Sequence, residues 1–186
     1  MLLRSELSFI PVQIKILMIL FVLLSMHTGP FTKQLSANGD VKIKLYMQQE
    51  LNTLPDYCQY RLAESEFREE FKGINGKTNW PPIFKETLNK WRGKIGIQNW
   101  THIHHYCFGI RHFQNYSLNS SNKNETYKKH ELTRALENFE YIRKAKTLNF
   151  PFWYDLYRYE AYLHLRLGNT AKAKWALKNS LKYKRK

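Results

Sequence analysis

Residues 102–112, with the sequence HIHHYCFGIRH, hold four of the seven histidines and one of the two cysteines of the chain. Imidazole nitrogens and thiolate sulfurs are ligands that zinc, copper and haem iron take in proteins. If the segment is helical, spacings of three and seven residues place His102, His105 and His112 on one flank, with His104 pointing elsewhere. The segment therefore raises the hypothesis of a metal- or haem-binding protein centred on these three histidines, with Cys107 as a fourth ligand.

Three features of this segment count against a metal site. Helical zinc sites usually space two histidines four residues apart, as in H-E-x-x-H, and no pair here has that spacing. The haem-attachment motif C-x-x-C-H is missing, and no acidic residue lies within the segment. We therefore favour histidines that pack or hydrogen-bond between helices, and we expect no cofactor. The metal or haem site stays as the alternative.

The two cysteines offer a different chemistry. Cys58 and Cys107 each follow a tyrosine on a predicted helix, and Cys107 shares a helical stripe with Ile103 and Ile110. An even cysteine count favours a disulfide if the chain is exported, which the start of the chain predicts, as described next. The sequence thus predicts a Cys58–Cys107 bridge. Two free buried thiols, or a site that combines a thiol with histidine, are the alternatives.

The start of the chain predicts its compartment. Residues 14–26 are strongly apolar, Arg4 and Lys15 lie at or before the start of this run, and Gly29 and Pro30 end it. This order is typical of a secretory signal, and the run from residue 7 is also long enough for an anchor. We expect residues 1–30 to be a signal peptide or signal anchor and 31–40 a linker. The remainder is then exported to the periplasm or another extracytoplasmic space; a buried core helix is the alternative for the apolar run.

The charge of the chain constrains its partners. The formal net charge is +15, and residues 128–186 contain 15 Lys and Arg against 5 Asp and Glu. A basic surface favours an acidic protein face, anionic lipid headgroups or nucleic acid. Because nucleic acid is not the usual partner outside the cytoplasm, we expect a protein partner, with an anionic membrane surface as a second candidate for the basic C-terminus. An ordinary solvated helix face is the alternative.

Helical periodicity dominates residues 41–186 and predicts a single all-α domain. Polar, Gly- or Asn-rich loops are expected at 72–82 and 115–126. The predicted helices occupy 41–54, 55–71, a segment from Pro82 to about 96, a segment from Thr101 to about 115, and three segments around 132–145, 153–167 and 173–181.

Two of these helices, joined by Leu167, Gly168 and Asn169, resemble a hairpin of the tetratricopeptide repeat family. The resemblance rests on an aromatic residue, small residues and a turn at the positions where that family has them: Tyr157, Ala161, Leu167, Gly168, Ala173 and Ser180. A degenerate copy precedes it, with Gly109, Ala135, Phe139 and Pro151 at the corresponding places. Glu160 and His164 depart from the pattern, because the family has an apolar and an aromatic residue there.

The resemblance covers about residues 100–182 and implies an α-solenoid fragment that binds another protein through a concave face. It implies no chemistry, and an unrelated bundle of helical hairpins is the alternative. The chain also lacks the nucleophile-elbow, phosphate-loop and dinucleotide motifs of common enzymes. We therefore predict an exported or membrane-anchored, non-enzymatic scaffold or adaptor protein, with the metal- or haem-binding protein as the alternative.

Overall fold

The structure is a computed structural model that describes residues 29–118, 124–145 and 149–184, with residues 29–38 as backbone only. The prediction of an all-α fold is confirmed in these ranges, where extended pairing is limited to one bridge between Lys72 and Thr78. The described helices are α1 (Gly29–Glu50), α2 (Asp56–Glu66), α3 (Pro82–Ile95), α4 (Ile97–Leu118), α5 (Glu125–Lys144), α6 (Trp153–Arg166) and α7 (Thr170–Lys182).

The first described helix differs from the sequence prediction. Helix α1 begins at Gly29 and runs through residues 31–40, which were predicted to be a linker. Gly39 does not form a turn there: a β-carbon at this position would lie 2.8 Å from two carbons of the Phe71 ring, so glycine lets the helix approach that ring. The apolar residues 14–26 lie outside the described part of the chain. Among the helices that the structure describes, none has the length and hydrophobicity needed to cross a bilayer.

Proline and glycine set the boundaries of the next helices. Helix α3 begins at Pro82, as predicted, because proline lacks the N–H that the first helical turn leaves unpaired. Helix α2 ends at Glu66, five residues earlier than predicted, and the chain then turns back through residues 67–81, in which Asn79 N donates to Phe71 O. The predicted loop at 72–82 is confirmed up to Pro81.

Helix α4 starts four residues before the predicted start at Thr101. Gly96 has φ +86°, a left-handed conformation that separates α3 from α4 and that residues with a side chain rarely adopt. Thr101 lies inside the helix, where its Oγ1 donates to Ile97 O at 3.2 Å. The helix ends at Leu118, so the first residues of the predicted 115–126 loop are helical.

Two helical hairpins form the second half of the protein. Helix α4 packs along α5 and α6 packs along α7, and these are the most extensive helix pairs described. At the first contact Gly109 faces Phe139; at the second, Ala173 and Ala176 are buried. Gly168, with φ +77°, makes the turn between α6 and α7.

Stacked aromatic rings join the two halves. The Tyr106 ring of α4 stacks on that of Phe152 with the centroids 5.3 Å apart, and the Tyr57 ring of α2 also stacks on Phe152, at 4.7 Å. Burial raises the pKa of both tyrosines, so their hydroxyls stay neutral. Such pairs contribute about 0.5–1.5 kcal/mol each beyond the apolar area that they bury.

Candidate functional site

The two cysteines lie at the junction between α2 and α4. Cys58 and Cys107 are fully buried and disulfide-bonded, with an S–S distance of 2.06 Å. The structure thus brings together the two cysteines that the sequence predicted to pair. In this bonded form Cys107 is neither a thiolate nucleophile nor a metal ligand.

His102 and His105 face α5. His105 Nδ1 lies 3.0 Å from Asn138 Oδ1, and its ring stacks on Tyr141 with the centroids 3.6 Å apart. The His102 ring lies 5.9 Å from the same tyrosine ring, and its Nδ1 is buried without a hydrogen-bond partner among the described residues. These two histidines therefore belong to the packing between α4 and α5.

His112 lies on the same flank, two turns further along α4. Its Nδ1 is 2.9 Å from Glu131 Oε2, and Glu131 is buried in α5. The predicted common flank of His102, His105 and His112 is therefore observed. The flank faces a neighbouring helix rather than an open space.

His104 points in another direction, toward α2. Its Nδ1 lies 2.9 Å from Thr101 O and 3.3 Å from a guanidinium nitrogen of Arg61. Burial, and next the positive charge of Arg61, lower the pKa of His104 to about 4. The imidazole is consequently neutral at physiological pH.

Within the described ranges, no three His, Cys, Asp or Glu side chains form a group that could hold a metal ion. His105 and His112 already bond to Asn138 and Glu131, and Cys107 is in the disulfide. No observation supports the alternative of a metal or haem site on His102, His105 and His112.

A buried charge cluster lies beside the disulfide and was missed by the sequence analysis. Glu64, 4% exposed, accepts hydrogen bonds from Arg92 Nη2 at 2.6 Å and from the indole Nε1 of Trp100 at 2.9 Å. Arg61 donates to the backbone oxygen of Trp100 at 3.2 Å. These bonds join α2, α3 and α4. Only the spacing of Arg61, Glu64 and Arg68 on one helix face was visible in the sequence.

A cavity of about 280 Å³ lies where α5, α6 and α7 meet, and we call it the α5–α7 cavity. Its volume is close to the lower limit of about 300–1,000 Å³ for small-molecule sites. Most of the lining side chains are polar or charged. The lining consists of Leu136, Glu140 and Arg143 from α5, Glu160 and His164 from α6, and Lys172 and Trp175 from α7.

Glu160 is the most deeply buried group of the α5–α7 cavity, at 1% exposure. Its Oε1 accepts a hydrogen bond from Arg143 Nε at 2.8 Å, whereas its Oε2 has no hydrogen-bond partner among the described residues. Burial raises the pKa of this carboxyl even though Arg143 opposes the shift. Half of the carboxylate is therefore satisfied and the other half is not.

The other polar groups of the cavity are also incompletely paired. His164 Nδ1 is buried without a partner in the described part of the chain, and burial, then Lys172 and Arg143, lower the pKa of this histidine. The Arg143 guanidinium lies 5.3 Å from the centre of the Trp175 ring, a cation–π contact. Glu160 and His164 are the residues that depart from the repeat pattern in the sequence, which was the available signal for this cavity.

No family model, curated protein or solved structure matches this chain.

Proposed function

We propose that this chain is an exported, non-enzymatic protein-binding module whose second half consists of two tetratricopeptide-like hairpins, α4–α5 and α6–α7. The observation that carries the proposal is the succession of two antiparallel helical hairpins. In each hairpin, small residues lie where the two helices contact each other. Stacked hairpins of this kind commonly serve as binding surfaces rather than as catalysts.

The surface of the second hairpin supports a binding role. Trp175, Leu177 and Leu181 on α7 are 47–62% exposed, and Leu165 at the end of α6 is 58% exposed. Large exposed apolar side chains often mark interaction sites. Leu177 and Leu181 lie one turn apart on the same face of α7, whereas Trp175 lies beside the α5–α7 cavity. Lys174, Lys178 and Lys182 are exposed on the same helix, so this apolar surface lies in a basic environment that suits an acidic partner.

The disulfide supports export. Bonds of this kind form and persist mainly in oxidising compartments. Its burial between α2 and α4 gives it a structural role. Together with the apolar run at 14–26, it favours an extracytoplasmic location for the hairpins.

Site-specific photocrosslinking in cells of the native host tests this function. A benzophenone side chain at position 175 of the full chain should give one discrete protein adduct. The same group at Ile83, which is 69% exposed on α3, is the matched control and should give none. Absence of an adduct at 175, or identical adducts at both positions, contradicts the proposal.

A further inference from the structure

The side of the α6–α7 hairpin that faces away from the α5–α7 cavity bears exposed leucines. On α7, Lys172 and Trp175 line the cavity, whereas Leu177 and Leu181 lie on the opposite side of the helix, one turn apart. These two leucines are 54% and 62% exposed. An apolar surface therefore remains open to solvent on this side of α7.

Helix α6 continues this surface. Its residues Glu160 and His164 line the cavity, and its Tyr157 ring stacks against the end of α7. Helical spacing places Leu165 beyond Tyr157, on the side away from the cavity, and Leu165 is 58% exposed. We call the surface formed by the exposed leucines of both helices the end face: Leu165, Leu177 and Leu181.

Cations border the end face on both helices. Arg158 lies two turns before Leu165 on α6 and is exposed, with its guanidinium 5.4 Å from the centre of the Tyr154 ring. On α7, Lys174 lies one turn before Leu177 and is exposed as well. The sequence of α7 contains no aspartate or glutamate. The leucines of the end face are thus set in a positively charged surface.

Both carboxylates of α6 lie away from the end face. Glu160 is buried beside the α5–α7 cavity. Burial, and next the charge of Asp155, raise the pKa of Tyr159, and the Tyr159 ring stacks on Phe139 of α5 with the centroids 5.8 Å apart. Asp155 therefore lies on the side of α6 that faces the first hairpin. Neither α6 nor α7 supplies a carboxylate that could neutralise the cations of the end face.

The shape of the end face suits a helix. Two antiparallel helices side by side leave a groove between them, and a third helix packs on such a groove at an interaxial distance of about 8–10 Å. An apolar stripe on that helix covers the leucines, and acidic residues beside the stripe approach Arg158 and Lys174. A second copy of this chain fits less well, because two end faces packed together bring like charges into contact.

We propose that the end face binds an amphipathic helix of a partner protein, with an apolar stripe flanked by aspartate and glutamate. The stretch from Lys174 to Leu181 covers about 10 Å of the axis of α7, so two to three turns of the partner helix are sufficient. This inference rests on the protein-binding function proposed above and specifies the surface and the chemistry of the partner.

Nuclear magnetic resonance titration of the ¹⁵N-labelled full chain tests the proposal with three capped peptides of about 18 residues, or five helical turns. The first has leucine at every third or fourth position, with glutamate and alanine elsewhere. The second has lysine in place of glutamate, and the third has the composition of the first with its leucines spread around the helix. We expect the first peptide to shift the amide signals of Leu177 and Leu181 with a saturable dependence. The second should cause no shift, and the third should bind about tenfold more weakly, because it cannot bury its leucines together.

Two pairs of variants supply matched controls, and all four residues are exposed, so that none of the changes threatens the fold. Lys174→Gln should weaken binding of the first peptide about two- to threefold, the value of an exposed ion pair, whereas Lys172→Gln, on the cavity side of the same helix, should leave it unchanged. Leu177→Gln should weaken binding about tenfold, because it removes apolar surface from the contact. Leu45→Gln, at a leucine that is 48% exposed on α1, should have no effect.

Sedimentation of the full chain with vesicles of phosphatidylcholine and phosphatidylglycerol separates a partner helix from a lipid surface. We expect Leu177→Gln to leave any association with the vesicles unchanged; a selective loss would assign the end face to the membrane and overturn the proposal. A dimer that Leu177→Gln dissociates, no shift with the first peptide, equal binding of the lysine peptide, or equal losses within either variant pair would also overturn it. A protein adduct at position 175 together with a negative titration would leave the binding function standing and remove only the acidic helix.

Discussion

The contact between Gly109 and Phe139 makes the first hairpin sensitive to a single methyl group. A β-carbon at position 109 would clash with three carbons of the Phe139 ring, lying 2.7 and 2.8 Å from Cδ1 and Cζ and nearer still to Cε1, whereas carbon atoms in contact are normally about 3.5–4.0 Å apart. The ring cannot easily move away, because it is fully buried and lies against Tyr106 and Tyr159, each with its centroid 5.8 Å distant. We therefore expect Gly109→Ala to destabilise the protein.

The size of this effect follows from two opposing contributions. Alanine in place of glycine within a helix stabilises by about 1 kcal/mol, and forcing an extra carbon into a packed core costs about 1–3 kcal/mol. Because Phe139 is held on two sides, the cost takes the upper value, and the net loss is about 2 kcal/mol. Gly93 is the matched control: it lies in α3 with nothing within 4 Å of an added β-carbon, so Gly93→Ala should stabilise by about 0.5–1 kcal/mol.

Urea denaturation followed by far-ultraviolet circular dichroism, with the disulfide kept oxidised, measures both variants. The same glycine-to-alanine substitution should thus lower the free energy of unfolding at position 109 and raise it at position 93. Phe139→Leu in the Gly109→Ala background should recover stability, with a coupling energy of about 1–2 kcal/mol between the two positions. Equal stability of the two alanine variants, or strictly additive effects at 109 and 139, would refute the packing argument.

Three further predictions concern the disulfide, the half-buried His104 and the N-terminal segment. Replacing Cys58 and Cys107 together by alanine should lower the free energy of unfolding by about 4 kcal/mol, because the bond closes a loop between residues 49 apart; an unchanged urea midpoint contradicts this. The pKa of His104 is about 4 in the folded protein against 6.5 in the unfolded chain. Unfolded chains therefore bind more protons as the pH falls from 6.5 toward 4, and stability should drop by about 1–2 kcal/mol between pH 7 and pH 5 after allowance for solvent screening. His104→Gln should reduce this dependence of stability on pH, as measured by denaturation at several pH values. An unchanged pH dependence in the variant would contradict the prediction. A phosphatase fused after Asp40 should be active only outside the cytoplasm, and a fully expressed but inactive fusion counts against export.

Features that depend on neighbouring residues in the chain were predictable. Pro82 marks the start of α3 and Gly168 the turn before α7, because both act through their own backbone conformation. The common flank of the histidines follows from helical periodicity alone. Gly96 carried a similar signal for the start of α4, but the continuous helical pattern on both sides of it concealed the break.

Features that depend on how helices are rotated against each other were not predictable. Glu160 was visible as a charged residue where an apolar one is usual, but its partner Arg143 lies 17 residues earlier in another helix. Glu64 likewise accepts hydrogen bonds from Arg92 and Trp100, which lie 28 and 36 residues later in the chain. Charge and spacing in a sequence do not determine which of many basic residues reaches a given carboxylate.

The position of Cys58 on α2 has a consequence for the order in which the chain matures. Synthesis proceeds from the N-terminus, so Cys58 emerges well before Cys107, and the side of α2 that packs on α4 has no cover until then. Bond formation must wait for 49 further residues, whereas each later hairpin pairs helices that are adjacent in the chain and closes over a short distance. An early thiol of this kind is open to mispairing with thiols of other chains. Correct maturation therefore depends on α4 reaching α2 before another thiol does.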